Sequence, residues 1–413
     1  MKIHDKKIVQ IELNQQLPKI AESNISRQYG VGLVELMVTL VIGLVVSLAI
    51  YGVLTASEGR KRTTNSINDI DQVGAYTLYQ LDKNIRSAGS GFSAGSTPLG
   101  SGQIVLAATY AYGCPLRVAR AGAQVLPPTS FSAPFAAVPT TVRLVPAVII
   151  NGAAPAGDDV IITMSGSAGL GESGTKFSAP ATNTNLSLAN HAGFRALDIA
   201  LLTSPPSGGN MSPCLTEHVS SAFIPTAGAA NVPLAGDFYQ ATVAGTSITS
   251  YLESSIALNL GQSPVFSMFA VGTNDTLLRY DLLRAPDAST GSTDPNPAAF
   301  ADSVYQMHAI YGVDTDGDPT VASVTWVAPT GAYSSATLLS GTAAANTALT
   351  TIRAIKIGLV MRSTLPERVN VSAATATLFA STTVPVTVNL APLNFRYRVF
   401  EATIPLRNPI MLP

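Results

Sequence analysis

The stretch that decides the fold is VGLVELMVTLVIGLVVSLAIYGVL, residues 31–54. It contains 24 residues and one charged side chain, Glu35, and it is long enough to cross a bilayer as an α-helix. About 30 mostly polar residues precede it. Three interpretations compete: a cleaved secretory signal, an uncleaved membrane anchor, and a processed leader followed by a functional helix.

The first two interpretations leave features of this segment unexplained. A secretory signal has an apolar run of about 7–15 residues and a small-residue cleavage site, and Thr55-Ala56-Ser57 could supply the site. However, the leader and the apolar run are both too long. An uncleaved anchor fits the length, but a carboxylate at membrane depth costs about 2.5–3.5 kcal/mol on insertion scales. Glu35 is therefore expected to have a functional partner.

Residues 30–36, GVGLVEL, resemble the class III signal of type IV prepilins and pseudopilins. The resemblance implies that a prepilin peptidase cuts after Gly30, where a residue without a Cβ gives the protease access to the backbone. It implies that the new N-terminus, Val31, is methylated. It also implies that Glu35 acts in assembly by pairing with the α-amino group of a neighbouring subunit.

The chain after residue 54 continues as a predicted helix. No proline occurs between Pro18 and Pro98, and apolar residues recur at spacings of three to five along one face. These residues are Ile67, Ile70, Val73, Leu78, Leu81 and Ile85. We expect one helix over about 31–88, apolar all round at first and then packed by one face against a globular head. Gly74, like three earlier glycines, should weaken it by about 1 kcal/mol relative to alanine.

The remaining residues, 89–413, are predicted to form a β-rich head. Ile355, Ile357, Leu359 and Met361 alternate with their neighbours as in a half-buried strand. Further candidate strands are 142–150, 158–165, 196–203, 264–271, 278–282, 303–313, 320–328 and 396–406. Stretches rich in Ala, Pro, Gly, Ser and Thr at 120–140, 286–299 and 329–350 are predicted to be surface loops.

The predicted fold class is α+β and pilin-like. Residues 1–30 form a leader, residues 31–88 the helix with a transmembrane segment at about 31–54, and residues 89–413 the head.

Several blocks resemble PilW-type minor pilins across the chain. They are LDKNIRSAG (81–89), AIYGVDTDGD (309–318), Trp326, IGLVMRS (357–363) and YRVFEATIPLRN (397–408). The resemblance implies a structural, non-enzymatic minor pilin that acts in pilus initiation at the tip. Its partners would be the prepilin peptidase, other minor and major pilins, the inner-membrane assembly platform, and membrane lipid before assembly. It also implies a single-pass inner-membrane protein that later enters a pilus on the cell surface, with the head periplasmic or extracellular. A type II secretion pseudopilin and a membrane-anchored enzyme or adhesin remain alternatives.

The two cysteines, Cys114 and Cys214, have no metal-ligand spacing. In an exported protein they are expected to form one disulfide, which is worth roughly 4–5 kcal/mol on the chain-entropy model. Two free thiols are the alternative. A nucleic-acid partner is not predicted, because the net charge is −1 and the chain has no basic stripe.

Asp314, Asp316 and Asp318 place carboxylates at alternate positions, which suits a hard cation such as Ca²⁺. An EF-hand is rejected because loop position twelve is Thr325 rather than glutamate. The competing interpretation is a tight turn at Asp316-Gly317 between two strands. No other cofactor is predicted, and a G-x-G-x-x-G match at 169–174 lacks the helix that phosphate binding requires. No nucleophile–base arrangement emerges.

Overall fold

The computed structural model describes residues 32–93, 96–98, 104–106, 110–168, 174–191, 193–226, 231–284, 297–314 and 324–406. The chain divides into two compact units, Met1–Arg62 and Thr63–Pro413, and each is described by itself. The predicted leader, 1–30, lies outside the described residues.

Helix α1 comprises Leu33–Arg86, close to the predicted range of 31–88. In the first unit its side chains are exposed, and three hydroxyl groups donate to carbonyls of the preceding turn: Thr39 to Leu36, Thr55 to Gly52, and Ser57 to Leu54. These bonds satisfy the hydroxyl groups within the helix itself, as an apolar environment requires.

In the second unit, α1 buries one face. The buried residues are Ile70, Gly74, Thr77, Leu81 and Ile85, at the three- and four-residue spacing of a helix face. The prediction of this face is confirmed for Ile70, Leu81 and Ile85. The sequence pattern missed Gly74 and Thr77 because neither side chain is apolar and large.

The second unit is built mainly of β-sheet, with strands numbered along the chain. The six-stranded sheet has the order β4-β3-β10-β9-β14-β7, and within it β10 pairs with β3 in parallel. Its strands are β3 (Leu116–Arg120), β4 (Ala123–Leu126), β7 (Thr175–Lys176), β9 (Ile199–Thr203), β10 (Cys214–His218) and β14 (Ile256–Asn259).

Two further sheets are antiparallel. The five-stranded sheet has the order β17-β16-β15-β6-β5, and the four-stranded sheet the order β19-β18-β20-β23. The first contains β5 (Ala147–Ile150), β6 (Val160–Ser165), β15 (Val265–Val271), β16 (Leu277–Asp281) and β17 (Ala298–Ala301). The second contains β18 (Val304–Val313), β19 (Thr325–Val327), β20 (Ile352–Arg362) and β23 (Tyr397–Pro405).

Four two-stranded sheets complete the β-structure of the described residues. They pair β1 (Ser96–Pro98) with β2 (Ile104–Leu106), β8 (Asn185–Ser187) with β11 (Asn231–Pro233), β12 (Thr242–Val243) with β13 (Thr246–Ser247), and β21 (Thr375–Leu378) with β22 (Val386–Asn389). The α+β pilin-like class is confirmed.

The prediction of a loop over 329–350 is wrong. This stretch contains a 3₁₀ helix, Gly331–Tyr333, and two α-helices, α2 (Ser335–Leu338) and α3 (Ala343–Thr351). Thr342 caps α3, since its side chain accepts a hydrogen bond from the Ala345 N–H at 3.2 Å. Alanine has the highest helix propensity, so its abundance here favours a helix rather than a loop. Further 3₁₀ helices are Pro155–Gly157 and Ile248–Ser250.

The largest core cluster joins the buried face of α1 to residues of the three large sheets. A second cluster lies around β9, β10 and β14. A third packs β18 and β20 against the β21–β22 hairpin through Ile310, Val360 and Phe379. The four-stranded sheet is therefore buried on both faces, with α1 contributing to the core on one of them.

Candidate functional site

Glu35 lies in the first turn of α1, where the Leu36 N–H donates to the Gly32 carbonyl at 3.2 Å. A carboxylate is favourable at this end of a helix, because the unpaired N–H groups there carry partial positive charge. Glu35 is exposed, and so is every other described residue of the apolar stretch. Gly30 and Val31 lie outside the described residues, so cleavage and methylation remain predictions.

The first part of α1 presents an unbroken apolar surface. Leu33 is 78% exposed and Leu54 is 56% exposed, and the large side chains between them are exposed to similar degrees. By length and composition α1 is apolar enough to cross a membrane, with a mean hydropathy of 2.6 over its best window, although a signal sequence would pass the same test. A surface of this extent requires a cover of lipid or of other helices.

The second part of α1 packs closely on β23. A Cβ added to Gly74 would lie 2.6 Å from one ring carbon of Phe400 and 2.8 Å from two others. Such separations are well inside van der Waals contact, so only glycine lets this ring approach the helix backbone. Gly74 thus has a packing role that offsets its low helix propensity.

Polar contacts fix the same part of α1 at two other positions. The Thr63 hydroxyl donates to Glu367 Oε1 at 2.9 Å, and Arg396 Nε donates to the same oxygen at 2.9 Å. Arg398 Nε lies 3.5 Å from Asp71 Oδ1, in a pair with both side chains about half exposed. Exposed pairs of this kind contribute roughly 0–1 kcal/mol, so they orient the helix more than they hold it.

A buried acidic pair, Asp158 and Asp159, lies directly before β6 and accepts hydrogen bonds from β18. Asp158 Oδ1 accepts a hydrogen bond from the Met307 N–H at 3.1 Å, and Asp159 Oδ2 accepts one from the Ala309 N–H at 2.9 Å. These two N–H groups belong to β18 residues outside its pairing with β19, which covers only residues 311–313. The two carboxylates therefore take the place of a neighbouring strand along this part of β18. His308 Nε2 lies 3.8 Å from Asp158 Oδ1, and His308 Nδ1 lies 3.6 Å from Asp159 Oδ2.

Burial governs the protonation of this cluster. It raises the pKa of Asp158 to about 7, although the Met307 N–H and His308 act in the opposite direction. Burial lowers the pKa of His308, but the two carboxylates beside it more than offset that effect, so its pKa is raised overall. Sequence spacing could not reveal this cluster, because His308 lies about 150 residues from the acidic pair.

A second buried carboxyl lies in the six-stranded sheet. Glu217, on β10, is 0% exposed, and burial raises its pKa to about 9 although the Gln240 N–H donates to its Oε2 at 3.3 Å. Its Oε1 has no hydrogen-bond partner among the described residues. Glu217 is therefore protonated at neutral pH and contributes no charge to the core.

The predicted pair of cysteines forms a disulfide, with the Cα atoms of Cys114 and Cys214 5.6 Å apart. The bridge lies where β3 and β10 begin their parallel pairing, since Cys214 stands opposite Leu116. The Cys214 N–H also donates to the Pro115 carbonyl at 2.9 Å. The disulfide thus joins two neighbouring strands that are 100 residues apart in the chain.

Asp314 follows β18 directly and is 4% exposed, with its Oδ2 3.3 Å from Arg353 Nε. Asp316 and Asp318 lie outside the described residues. No group of three metal-ligating side chains occurs in the described part of the chain. Strands β18 and β19 pair on either side of the acidic stretch, with Tyr311 opposite Val327, as the hairpin interpretation requires. Calcium binding remains a prediction.

Comparison with family models gives two matches. The model described as Type IV Pilus-assembly protein W matches residues 268–408, which include β16 to β23 and most of β15. The model described as Prokaryotic N-terminal methylation motif matches residues 25–51, which include Gly30, Val31 and Glu35. Comparison with curated proteins found no match, and comparison with solved structures found none either.

Together the two matches support a type IV prepilin-like, PilW-type protein, and the chain is therefore related to the type IV pilus. Pilin-like families are structural rather than enzymatic. The apolar helix and the methylation motif fit a membrane-anchored pilin that later enters a pilus.

Proposed function

We propose that this protein is a minor pilin, cut after Gly30, methylated on Val31 and assembled through α1. It would stand in the inner membrane first and in a surface pilus afterwards, with a role in the complex that initiates the fibre at its tip. The single observation that carries the proposal is the methylation motif at residues 25–51, which runs directly into the exposed apolar part of α1.

Helix α1 has the two properties that such a subunit needs. Its first part exposes apolar side chains that lipid can cover before assembly and neighbouring helices afterwards, with little change of environment. Its second part is fixed to a stable head through Gly74 and Phe400. Glu35 supplies a charge for a neighbouring N-terminus, and that pairing would set the axial register of the subunit.

The proposal is tested by mass spectrometry of the N-terminus of the membrane-bound protein and by its recovery in sheared pili. Wild type should begin at Val31, with a methyl group, and Gly30→Ala should retain its leader. Glu35→Ala should be cut normally but should be missing from sheared pili. Glu58→Ala is the matched control, because it removes a carboxylate from α1 beyond the apolar stretch and should behave as wild type.

An N-terminus at Met1 or near Glu58 in the wild-type protein would contradict the proposal. A pseudopilin of type II secretion would show the same cleavage, so deletion of the chain separates the two: loss of pili favours the pilin, and loss of secreted proteins with pili intact favours the pseudopilin. An adhesin would instead leave pili in place and abolish attachment.

A further inference from the structure

The geometry points to the outer edge of β23 as a site where a β-strand from the head of a neighbouring pilin-type subunit is added to the four-stranded sheet. The identity of the partner as a pilin-type subunit rests on the proposed function, whereas the availability of the strand edge is read from the structure alone. Strand β23 is last in the order β19-β18-β20-β23, so its pairing within the described residues is with β20 alone.

The register of β23 shows which of its main-chain groups point outward. The Leu406 N–H donates to the Arg353 carbonyl, and the Ser363 N–H donates to the Arg396 carbonyl, so even-numbered residues of β23 bond to β20. In an antiparallel pair the alternate residues turn their N–H and C=O groups to the other side. These outward residues are Tyr397, Val399, Glu401 and Thr403.

The outer edge is accessible. Val399 is 40% exposed, and Glu401 and Thr403 are exposed as well. No hydrogen bond joins the main-chain groups of these outward residues to another part of the described chain. A row of N–H and C=O groups at this spacing is complementary to one kind of partner, another extended chain, because a strand presents the same groups at the same repeat.

Strand β23 lacks the features that usually protect an exposed edge. Such edges are commonly short, bulged, interrupted by proline or lined by free charges. Here the strand has nine residues and pairs with β20 without a register shift, and its proline, Pro405, is the final residue. Its charged side chains are engaged in ion pairs, Arg398 with Asp71 at 3.5 Å and Glu401 with Lys356 at 3.4 Å. The opposite edge strand of this sheet, β19, has only three residues.

The position of β23 favours a pilin-type head as the source of the added strand. Phe400 of this strand packs on Gly74, so the edge is fixed relative to the second part of α1. Subunits that assemble by packing these helices side by side would hold their head sheets at a constant offset. A strand edge held in that way can meet another edge at the 4.7–4.9 Å separation of paired strands.

The test blocks the edge without changing its side-chain face. Val399→Pro and Thr403→Pro each remove one outward N–H, and proline is tolerated on edge strands. Val399→Ala and Thr403→Ala are the matched controls, since they keep the N–H. We expect all four full-length variants to be processed and to unfold at the temperature of the wild type. The proline variants should be at least tenfold depleted from sheared pili, and the alanine variants should be present at the wild-type level.

Hydrogen exchange of the wild-type protein gives a second readout that needs no variant. The amides of Val399, Glu401 and Thr403 should exchange rapidly in the detergent-extracted subunit and slowly in sheared pili. The amides of Phe400 and Ala402 bond to β20 and should be slow in both. A proline variant that fails to fold would leave this measurement to decide the question.

Two results would overturn the inference: proline variants that fold and enter pili as well as the alanine variants, or edge amides that exchange as fast in pili as in the free subunit. Wild-type protein that is absent from pili altogether would overturn the proposed function and this partner together. Protected edge amides in a purified dimer of this chain, outside any pilus, would replace the pilin partner with a second copy.

Discussion

Substitution of Gly74 by alanine separates two opposing contributions to stability. At an exposed helix position the change would stabilise the helix by about 1 kcal/mol. At Gly74 the added methyl group would stand 2.6 Å from a ring carbon of Phe400, so the ring or the helix must move. Overpacking of this kind costs about 1–3 kcal/mol. We therefore expect Gly74→Ala to lower the free energy of unfolding of the head by about 0–2 kcal/mol.

The sign depends on Phe400, so a double-mutant cycle isolates the contact. In a Phe400→Ala background, Gly74→Ala should be stabilising by about 1 kcal/mol, because only helix propensity then remains. Ala75→Gly is the calibrating control, since Ala75 is exposed on the same turn and reports the Ala-to-Gly difference without the ring. Unfolding of the full chain in detergent can be followed with denaturant by the fluorescence of its single tryptophan, Trp326. Equal stabilisation by Gly74→Ala in both backgrounds would refute the packing argument.

Three further predictions concern the core of the head. The double variant Cys114→Ala/Cys214→Ala should lower the unfolding free energy by about 4–5 kcal/mol, because the bridge closes a loop of about 100 residues. Reduction of the wild-type disulfide should produce the same loss in a denaturant titration. Asp158 and His308 both have raised pKa values, so the folded head binds more protons than the unfolded chain and its unfolding free energy should fall as pH rises from 5 to 8. Asp158→Asn should reduce the slope of that fall by up to about 1.4 kcal/mol per pH unit, as measured by thermal melts across the same range. Glu217 has its pKa raised to about 9, so stability should also fall as pH rises from 5 to 9, and Glu217→Gln should remove that part of the pH dependence while leaving the melting temperature at pH 5 nearly unchanged.

Local patterns in the sequence were sufficient for some of these features. The apolar run and Glu35 indicated the class of protein, and the spacing of Ile70, Leu81 and Ile85 indicated the face of α1 that packs on the head. Alternation along residues 355–361 predicted β20. These signals are visible because periodicity within one element reflects its own environment.

Other features depend on contacts between distant segments. The packing role of Gly74 depends on Phe400, which lies more than 300 residues later in the chain. From the sequence alone, Gly74 predicted only a weakened helix. The Asp158–Asp159 pair acquires its partners from β18 only when the sheets assemble. Helix α3 was missed because Ser, Thr and Gly around Ala343–Thr351 suggested a loop, whereas the Thr342 cap and the alanines favour a helix.

The disulfide between Cys114 and Cys214 has a mechanical consequence. A fibre subunit bears tension when the fibre is pulled, and an unfolding chain lengthens by about 3.5 Å per residue. With the bridge intact, the 100-residue segment between the cysteines cannot contribute to that lengthening, whatever happens to its hydrogen bonds. When force is applied between α1 and β23, about 350 Å of contour length therefore cannot extend. A subunit that unfolds under force lengthens by only the part of the chain outside the bridged segment.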